Sequence, residues 1–196
     1  MATFLSFSSP KMQLYALCDR DALRSREVTL DQFIQKAKEH NAQILQYRNK
    51  NDDIAVIKKD LILVRQQYDG FLIINDHYEL IAFCDGVHIG QEDLYAIDSD
   101  PKRAIEILKT AIGNDKIIGL STHNKTEIEI ANTLDINYIG LGAYRTTATK
   151  SDAQVLGESL DKLASYSKHP VGAIGGVKID DTFQYVTYHV IGAGLL

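Results

Sequence analysis

Tyr138-Ile139-Gly140-Leu141-Gly142-Ala143-Tyr144-Arg145-Thr146-Thr147-Ala148-Thr149-Lys150 begins as an apolar run and breaks into glycines, hydroxyls and a lysine. The run 138–141 reads as a strand whose two faces are both covered. The residues after this run suit a ligand held over the strand's end. Glycines admit close approach of main-chain N–H groups, threonines add short donors, and lysine adds a point charge. A phosphorylated small molecule fits that lining. Ala173-Ile174-Gly175-Gly176-Val177 repeats the device nearer the C-terminus.

Working outward, similar apolar segments recur at 14–18, 43–47, 71–74, 86–89, 116–120, 171–174 and 188–191. Between them, 30–40, 53–67, 77–83, 101–111, 125–133, 156–166 and 180–186 carry apolar residues near a 3.6-residue period. Strands alternating with helices predict a parallel sheet with helices over it, and eight strands fit a closed (β/α)8 TIM barrel. An open doubly wound sheet is the alternative, and it would gather ligand groups at one switch point. Several strands end in polar residues or glycine: Asp19, Arg48, Asn75, Ser121, Gly142 and Gly175. In a barrel those ends build the active site.

The chain has 196 residues, fewer than the roughly 250 typical of this barrel. It reads as one barrel domain over 1–196, with 1–12 as an N-terminal extension. The sequence stops just after the eighth strand, so the eighth helix is expected to be missing. Cover for strands one and eight would then come from the Phe- and Leu-bearing N-terminal segment or from a partner in a homodimer. Pro10, Pro101 and Pro170 fall near element boundaries, where a lost donor costs little.

A net charge of -5 and scattered Lys and Arg argue against a general nucleic-acid or acidic-membrane surface, though not against a local basic pocket. No apolar run approaches a membrane span, and the start lacks a basic region before its short apolar stretch. A cytoplasmic location is expected by exclusion. Cys18 and Cys84 sit in apolar surroundings and read as buried free thiols. The histidines show no zinc-ligand spacing.

Four short stretches carry chemistry. In Gln46-Tyr47-Arg48-Asn49-Lys50, alternation puts Gln46, Arg48 and Lys50 on one side of an extended strand. An amide and two cations aimed at one place suit a diphosphate. Asn75-Asp76 and Asp93 add carboxylates at neighbouring strand ends. They would repel an anionic ligand unless a cation intervened, and Mg2+ accepts carboxylates, waters and phosphates together. Either aspartate could instead be a helix cap or turn acid. Glu92 reads as solvent-facing, and Glu79, one turn beyond Asp76, as a possible support to that residue. In Ser121-Thr122-His123-Asn124, Ser121 could bind a ring nitrogen or phosphate and His123 could exchange protons. Asn124 reads as an N-cap completed by Glu127. His88 reads as an inward or core residue. No acid–base triad is evident, so the pattern favours positioning and electrostatics over covalent catalysis.

In this order the motifs resemble the thiamine phosphate synthase family. They are Gln46-x-Arg48-x-Lys50, Asn75-Asp76, the run from Gly86 to Asp93, Gly119-Leu120-Ser121-Thr122-His123, Gly140-Leu141-Gly142 leading to Thr147-Ala148-Thr149-Lys150, and Ala173-Ile174-Gly175-Gly176. The resemblance covers nearly the whole chain. It implies a small, often dimeric barrel enzyme joining hydroxymethylpyrimidine diphosphate to hydroxyethylthiazole phosphate, with release of diphosphate. On that resemblance Gln46, Arg48, Lys50, Asn75, Ser121 and Lys150 are pyrimidine-diphosphate ligands, with Arg48, Lys50, Ser121 and Lys150 catalytic. Asp76 and Asp93 are Mg2+ ligands, while Thr147, Thr149 and Gly176 contact the thiazole phosphate.

The chain departs from the family pattern in two places. Ala143-Tyr144-Arg145-Thr146 replaces a proline–aromatic pattern and adds a charge at Arg145. Gly192-Ala193 stands where the family often has a serine. Other readings stay open at this point. One is a thiazole tautomerase on the same fold, with His123 as its acid–base group. Another is a noncatalytic binder of thiamine phosphate or a phosphorylated precursor, and a third is a phosphate-handling enzyme such as a sugar-phosphate epimerase.

Overall fold

Alternating inward and outward side chains organise the protein, a computed structural model of which describes residues 13–146 and 155–196. Eight parallel strands close on themselves in sequence order, β1 to β8. They are β1 Gln13–Asp19, β2 Ile44–Arg48, β3 Phe71–Asn75, β4 Gly86–Ile89, β5 Ile117–Thr122, β6 Tyr138–Leu141, β7 Val171–Ala173 and β8 Tyr188–Ile191. The first and last strands pair in register from Gln13 with Tyr188 to Ala16 with Ile191, which closes the ring.

Because successive residues face opposite sides of a strand, each strand serves two cores. Tyr15, Ile44, Ile73, Ile117, Tyr138, Tyr188 and Val190 fill the barrel interior. Their neighbours Ala16, Leu45, Ile74, Ile118 and Ile139 belong to a second, larger core shared with the helices. This double burial explains why the strands lack polar alternation along most of their length. Gly119 makes room in the interior, since a Cβ there would lie 2.2 Å from the Tyr138 ring.

Seven α-helices lie among the described residues: α1 Arg20–Arg24, α2 Leu30–Glu39, α3 Ile54–Gln67, α4 Gln91–Ile97, α5 Pro101–Ile112, α6 Lys125–Ala131 and α7 Ser159–Ala164. Their starts follow local chemistry. Thr29 and Gln32 exchange side-chain and backbone bonds at the start of α2, a full capping box. Asp100 caps α5 just ahead of Pro101, and Asn124 accepts from Glu127 N at 3.0 Å to cap α6. None of these helices is long and apolar enough to cross a membrane. Both cysteines are buried free thiols.

Three helical expectations need correction. The segment 77–83 is a 3-10 helix, Tyr78–Phe83. The short helices α1 and α4 occupy stretches to which the sequence reading assigns no helix, although a helix start is one reading of Asp93. The predicted helix at 180–186 does not form. Gln184 N and Tyr185 N donate to the Asp161 carboxylate at 3.0 and 2.9 Å, while the Asp181 carboxylate is taken by Arg145 and Lys178 N. With its amides and acids engaged outside the segment, the stretch has no use for an internal helical ladder. It still buries apolar surface, because Phe183 and Val186 pack on the outer core. After β8 the chain makes a short 3-10 turn, Ala193–Leu195, that buries Leu195.

Candidate active site

The strand ends expected to carry chemistry surround a cavity of about 490 Å³ at the C-terminal mouth of the ring formed by β1 to β8. Gln46, Arg48, Asn75, Ser121 and Gly176 line it, together with Asp19, His88, His123 and the cations Arg26 and Lys178. Gln46 and Arg48 reach it because they sit two residues apart on the inward face of β2. Asn75 and Ser121 occupy the corresponding ends of β3 and β5.

Arg48 is held by Asp19, the last residue of β1, through one guanidinium nitrogen. The same carboxylate accepts from Ala22 N at 3.0 Å and caps α1. One residue therefore both starts a helix and orients the arginine. The guanidinium has five N–H donors in all, enough for a second, anionic partner.

Lys50, Asp76 and Asp93 form a group of their own beside this cavity. Lys50 Nζ lies 3.6 Å from Asp76 Oδ2. Burial raises the Asp76 pKa from its ordinary value, the neighbouring Asp93 carboxylate raises it further, and Lys50 acts in the opposite sense. Asp76 sits at φ 66, a conformation that aspartate tolerates better than most residues. Asp93 lies in the first turn of α4 and accepts from Gly90 N at 3.0 Å. Two crowded carboxylates, one disfavoured as an anion, suit a divalent cation that also takes waters and phosphate oxygens. Among the described residues, no group of three or more His, Cys, Asp or Glu side chains could hold a metal by itself. A magnesium ion here would therefore draw its remaining ligands from water and ligand oxygens.

Elsewhere on the same cavity wall, β7 runs into Gly175 and Gly176 with φ of 88 and 67. Glycine accepts these positive φ values without strain, and a turn of this kind can present main-chain N–H groups to an anion. Arg145 braces this turn from behind. Its backbone N donates to Gly175 O at 2.7 Å and its guanidinium to Gly176 O at 2.8 Å. Thr147, Thr149 and Lys150 lie outside the described residues. The chain on either side of them is anchored at the cavity wall, because Leu156 N donates to Ala143 O at 2.8 Å and Gly157 N to Tyr144 O at 3.1 Å.

His88 is 8% exposed and bonds Ser121 Oγ at 2.9 Å and the Tyr138 hydroxyl at 3.0 Å, so it is the inward polar residue anticipated. His123 is tied to Glu127, its ring nitrogen 3.0 Å from the carboxylate. Glu79 does not support Asp76. It is exposed and pairs with His77 at 3.1 Å. Sequence reasoning missed the Asp19–Arg48 pair, the Arg145 brace and the interior tyrosines. Of these only Asp19, a polar residue ending an apolar strand, left a visible signal.

Known proteins are similar to this chain. A family model described as thiamine monophosphate synthase matches residues 14–194. The thiamine-phosphate synthase of Lawsonia intracellularis is 34% identical over 196 residues, 96% of this chain and 85% of that protein. That of Persephonella marina is 34% identical over 172 residues, 85% of this chain and 77% of that protein. The solved structure of thiamine phosphate pyrophosphorylase from Pyrococcus furiosus superposes with a TM-score of 0.71 at 26% identity, covering 93% of this chain and 88% of that one. With the family model matching from the first strand to past the last and relatives 34% identical over most of the chain, the chain belongs to the thiamine monophosphate synthase family.

Proposed function

We propose that this chain is a thiamine-phosphate synthase, joining hydroxymethylpyrimidine diphosphate to hydroxyethylthiazole phosphate with release of diphosphate. The observation that carries the reading is the two-sided cavity. Gln46, Arg48, Asn75 and Ser121 line it from β2, β3 and β5, and the Gly175–Gly176 turn after β7 lines it elsewhere. That layout gives two phosphorylated substrates separate anion sites with their reacting rings between them.

In this reading Gln46, Asn75 and Ser121 orient the pyrimidine, while Arg48, Lys50 and Lys150 stabilise charge growing on the diphosphate. The methylene–oxygen bond breaks, diphosphate leaves with the electron pair, and the thiazole nitrogen lone pair forms the new carbon–nitrogen bond. No general base is needed, since that nitrogen carries no proton. Thr147, Thr149 and Gly176 hold the thiazole phosphate. Asp76 and Asp93 would hold Mg2+, which supplies charge neutralisation for the leaving diphosphate. Walls that exclude water keep the cationic carbon from hydrolysis. A cytoplasmic setting, expected by exclusion, and a homodimeric assembly, on the strength of the resemblance, complete the proposal.

The test is direct. Purified protein is mixed with both substrates and Mg2+, and thiamine phosphate is measured. Turnover should vanish with a chelator and fall sharply in Lys150→Ala and Asp93→Ala. Tight binding of both substrates with no product would overturn the reading in favour of a noncatalytic binder.

A further inference from the structure

A chain of hydrogen bonds crosses the barrel interior and joins two of the residues placed on the pyrimidine. Gln46 Nε2 donates to Asn75 Oδ1 at 2.9 Å, and the Tyr15 hydroxyl donates to Gln46 Oε1 at 3.1 Å. The Tyr15 and Tyr138 hydroxyls lie 2.7 Å apart. His88 Nδ1 is 3.0 Å from the Tyr138 hydroxyl, and His88 Nε2 is 2.9 Å from Ser121 Oγ. The path thus runs over six strands, from Asn75 on β3 to Ser121 on β5. Its middle is dry: Tyr15 and Tyr138 are each 1% exposed and Gln46 is 3% exposed.

A phenol and a neutral imidazole each carry a single proton for such bonds, so the sense of one bond dictates the next. Gln46 gives its amide N–H to Asn75, which leaves Oε1 to accept from Tyr15. Tyr15, having spent its proton, must accept from Tyr138. Tyr138 must then accept from His88 Nδ1–H. An imidazole protonated at Nδ1 has a bare Nε2, which accepts the Ser121 hydroxyl proton. Burial raises the pKa of both phenols, which keeps them protonated. At the cavity, Ser121 is left with oxygen lone pairs and Asn75 with its amide hydrogens. The Ser121 backbone is held in turn by Gln91 Nε2, 2.6 Å from its carbonyl oxygen.

We propose that Tyr15, Tyr138 and His88 are positioning residues that impose this donor–acceptor order on the cavity wall. The wall then selects a heterocycle edge with an amino donor facing Ser121 and a ring-nitrogen acceptor facing Asn75. The same ring bearing an oxo group and a ring N–H meets acceptor with acceptor and donor with donor. The inference deepens the synthase reading and rests on its placement of the pyrimidine.

Two measurements test it. In ligand-free protein labelled with 15N-histidine, the His88 signals (assigned by their loss in His88→Gln) should show Nδ1 protonated and Nε2 bare. A proton on Nε2, whether in the opposite tautomer or in a doubly protonated ring, overturns the proposal, and this result needs neither substrate nor turnover. The second measurement is calorimetric binding of an aminopyrimidine diphosphate and its oxo counterpart. The wild type should prefer the amino compound by about 100-fold, because a mismatch leaves buried polar groups unpaired. Tyr138→Phe keeps the ring but breaks the path, and should cut that preference to about 10-fold or less. Tyr188→Phe, whose ring packs edge-on against both tyrosines, should leave it unchanged. Undiminished preference in Tyr138→Phe, or equal losses in both tyrosine variants, overturns the proposal. A synthase that makes no thiamine phosphate while keeping the tautomer and the preference would fail only the functional reading.

Discussion

Arg145 meets Asp181 through both guanidinium nitrogens, at 2.6 and 2.7 Å, while also donating to Gly176 O. The loop after β6 is thereby tied to the segment before β8, with the glycine turn caught between them. The arginine lies over the Tyr144 ring at 4.2 Å, Tyr144 packs edge-on against Phe183, and Phe183 against His189. The 143–146 segment is thereby packed into the same wall. Arg145 is committed to holding the turn and is not a free cation aimed at the ligand.

Removing the carboxylate should loosen that turn. Arg145 holds the Asp181 carboxyl down at about 2, below its ordinary 3.8. A depressed folded-state pKa means the stabilisation is complete above the unfolded value and is lost as pH falls through the folded one. Asp181→Asn should lower Tm by roughly 3 °C at neutral pH. The gap should narrow below pH 4 and close near pH 2. In the synthase assay KM for the thiazole phosphate should rise several-fold, with the pyrimidine KM little changed. Thermal unfolding across pH checks the first part, and a gap independent of pH would refute the ion-pair account.

Asp76 poses the opposite case. Burial and the Asp93 charge raise its pKa, so its ionisation costs stability as pH rises through the folded value, and no cost remains below the unfolded one. Asp76→Asn removes that charge, and asparagine accepts the φ of 66 without strain. The variant should melt about 2–4 °C higher than wild type in metal-free buffer at pH 7. The difference should disappear in acid. Magnesium-dependent turnover should nevertheless collapse. A variant less stable than wild type at pH 7 would show that Lys50 outweighs the crowding.

All eight strands were legible because double burial leaves an apolar signature that survives without tertiary information. Gln46 and Arg48 could be placed on one wall from alternation alone, and Asn75 and Ser121 from ending apolar runs. Other features were hidden for physical reasons. Tyr15, Tyr138 and Tyr188 look like ordinary strand aromatics, and only closure of the ring brings the Tyr15 and Tyr138 hydroxyls together and packs Tyr188 against both rings. Helix α4 was masked because it opens on Gly90 right after β4, where Asp93 itself supplies the capping contact. The apolar spacing at 180–186 was real, but long-range bonds from Asp161 and Arg145 took the groups a helix would have used.

The Gly175 position offers a sharper probe of the anion turn. Its φ of 88 disfavours any side chain, and a Cβ would stand 2.7 Å from Ala143 Cβ and 2.8 Å from Ala143 Cα. Gly175→Ala should cost about 2–4 kcal/mol, from backbone strain plus overlap against a wall that Arg145 holds in place. Chemical denaturation measures this directly. KM for the thiazole phosphate should also rise at least about tenfold, because the turn's N–H groups would be re-aimed. Wild-type stability in this variant would mean that the wall can move aside.

Arg48 decides whether charge or geometry matters on the pyrimidine side. Its guanidinium already spends one edge on Asp19, and that aspartate is fixed by capping α1. The remaining N–H donors would engage the diphosphate in a set direction, as a planar fork can and an ammonium cannot. Arg48→Lys keeps the charge but must divide one ammonium between Asp19 and the ligand. It should lower kcat/KM for the pyrimidine diphosphate by about 10- to 100-fold while moving Tm by no more than ~3 °C. Asp19 remains able to cap α1 in this variant, so a large fall in stability would point to a structural role for the pair. Steady-state kinetics with each substrate varied in turn separates the outcomes. Near-normal kcat/KM would mean a point charge suffices, and the orienting role given to Asp19 would have to be abandoned.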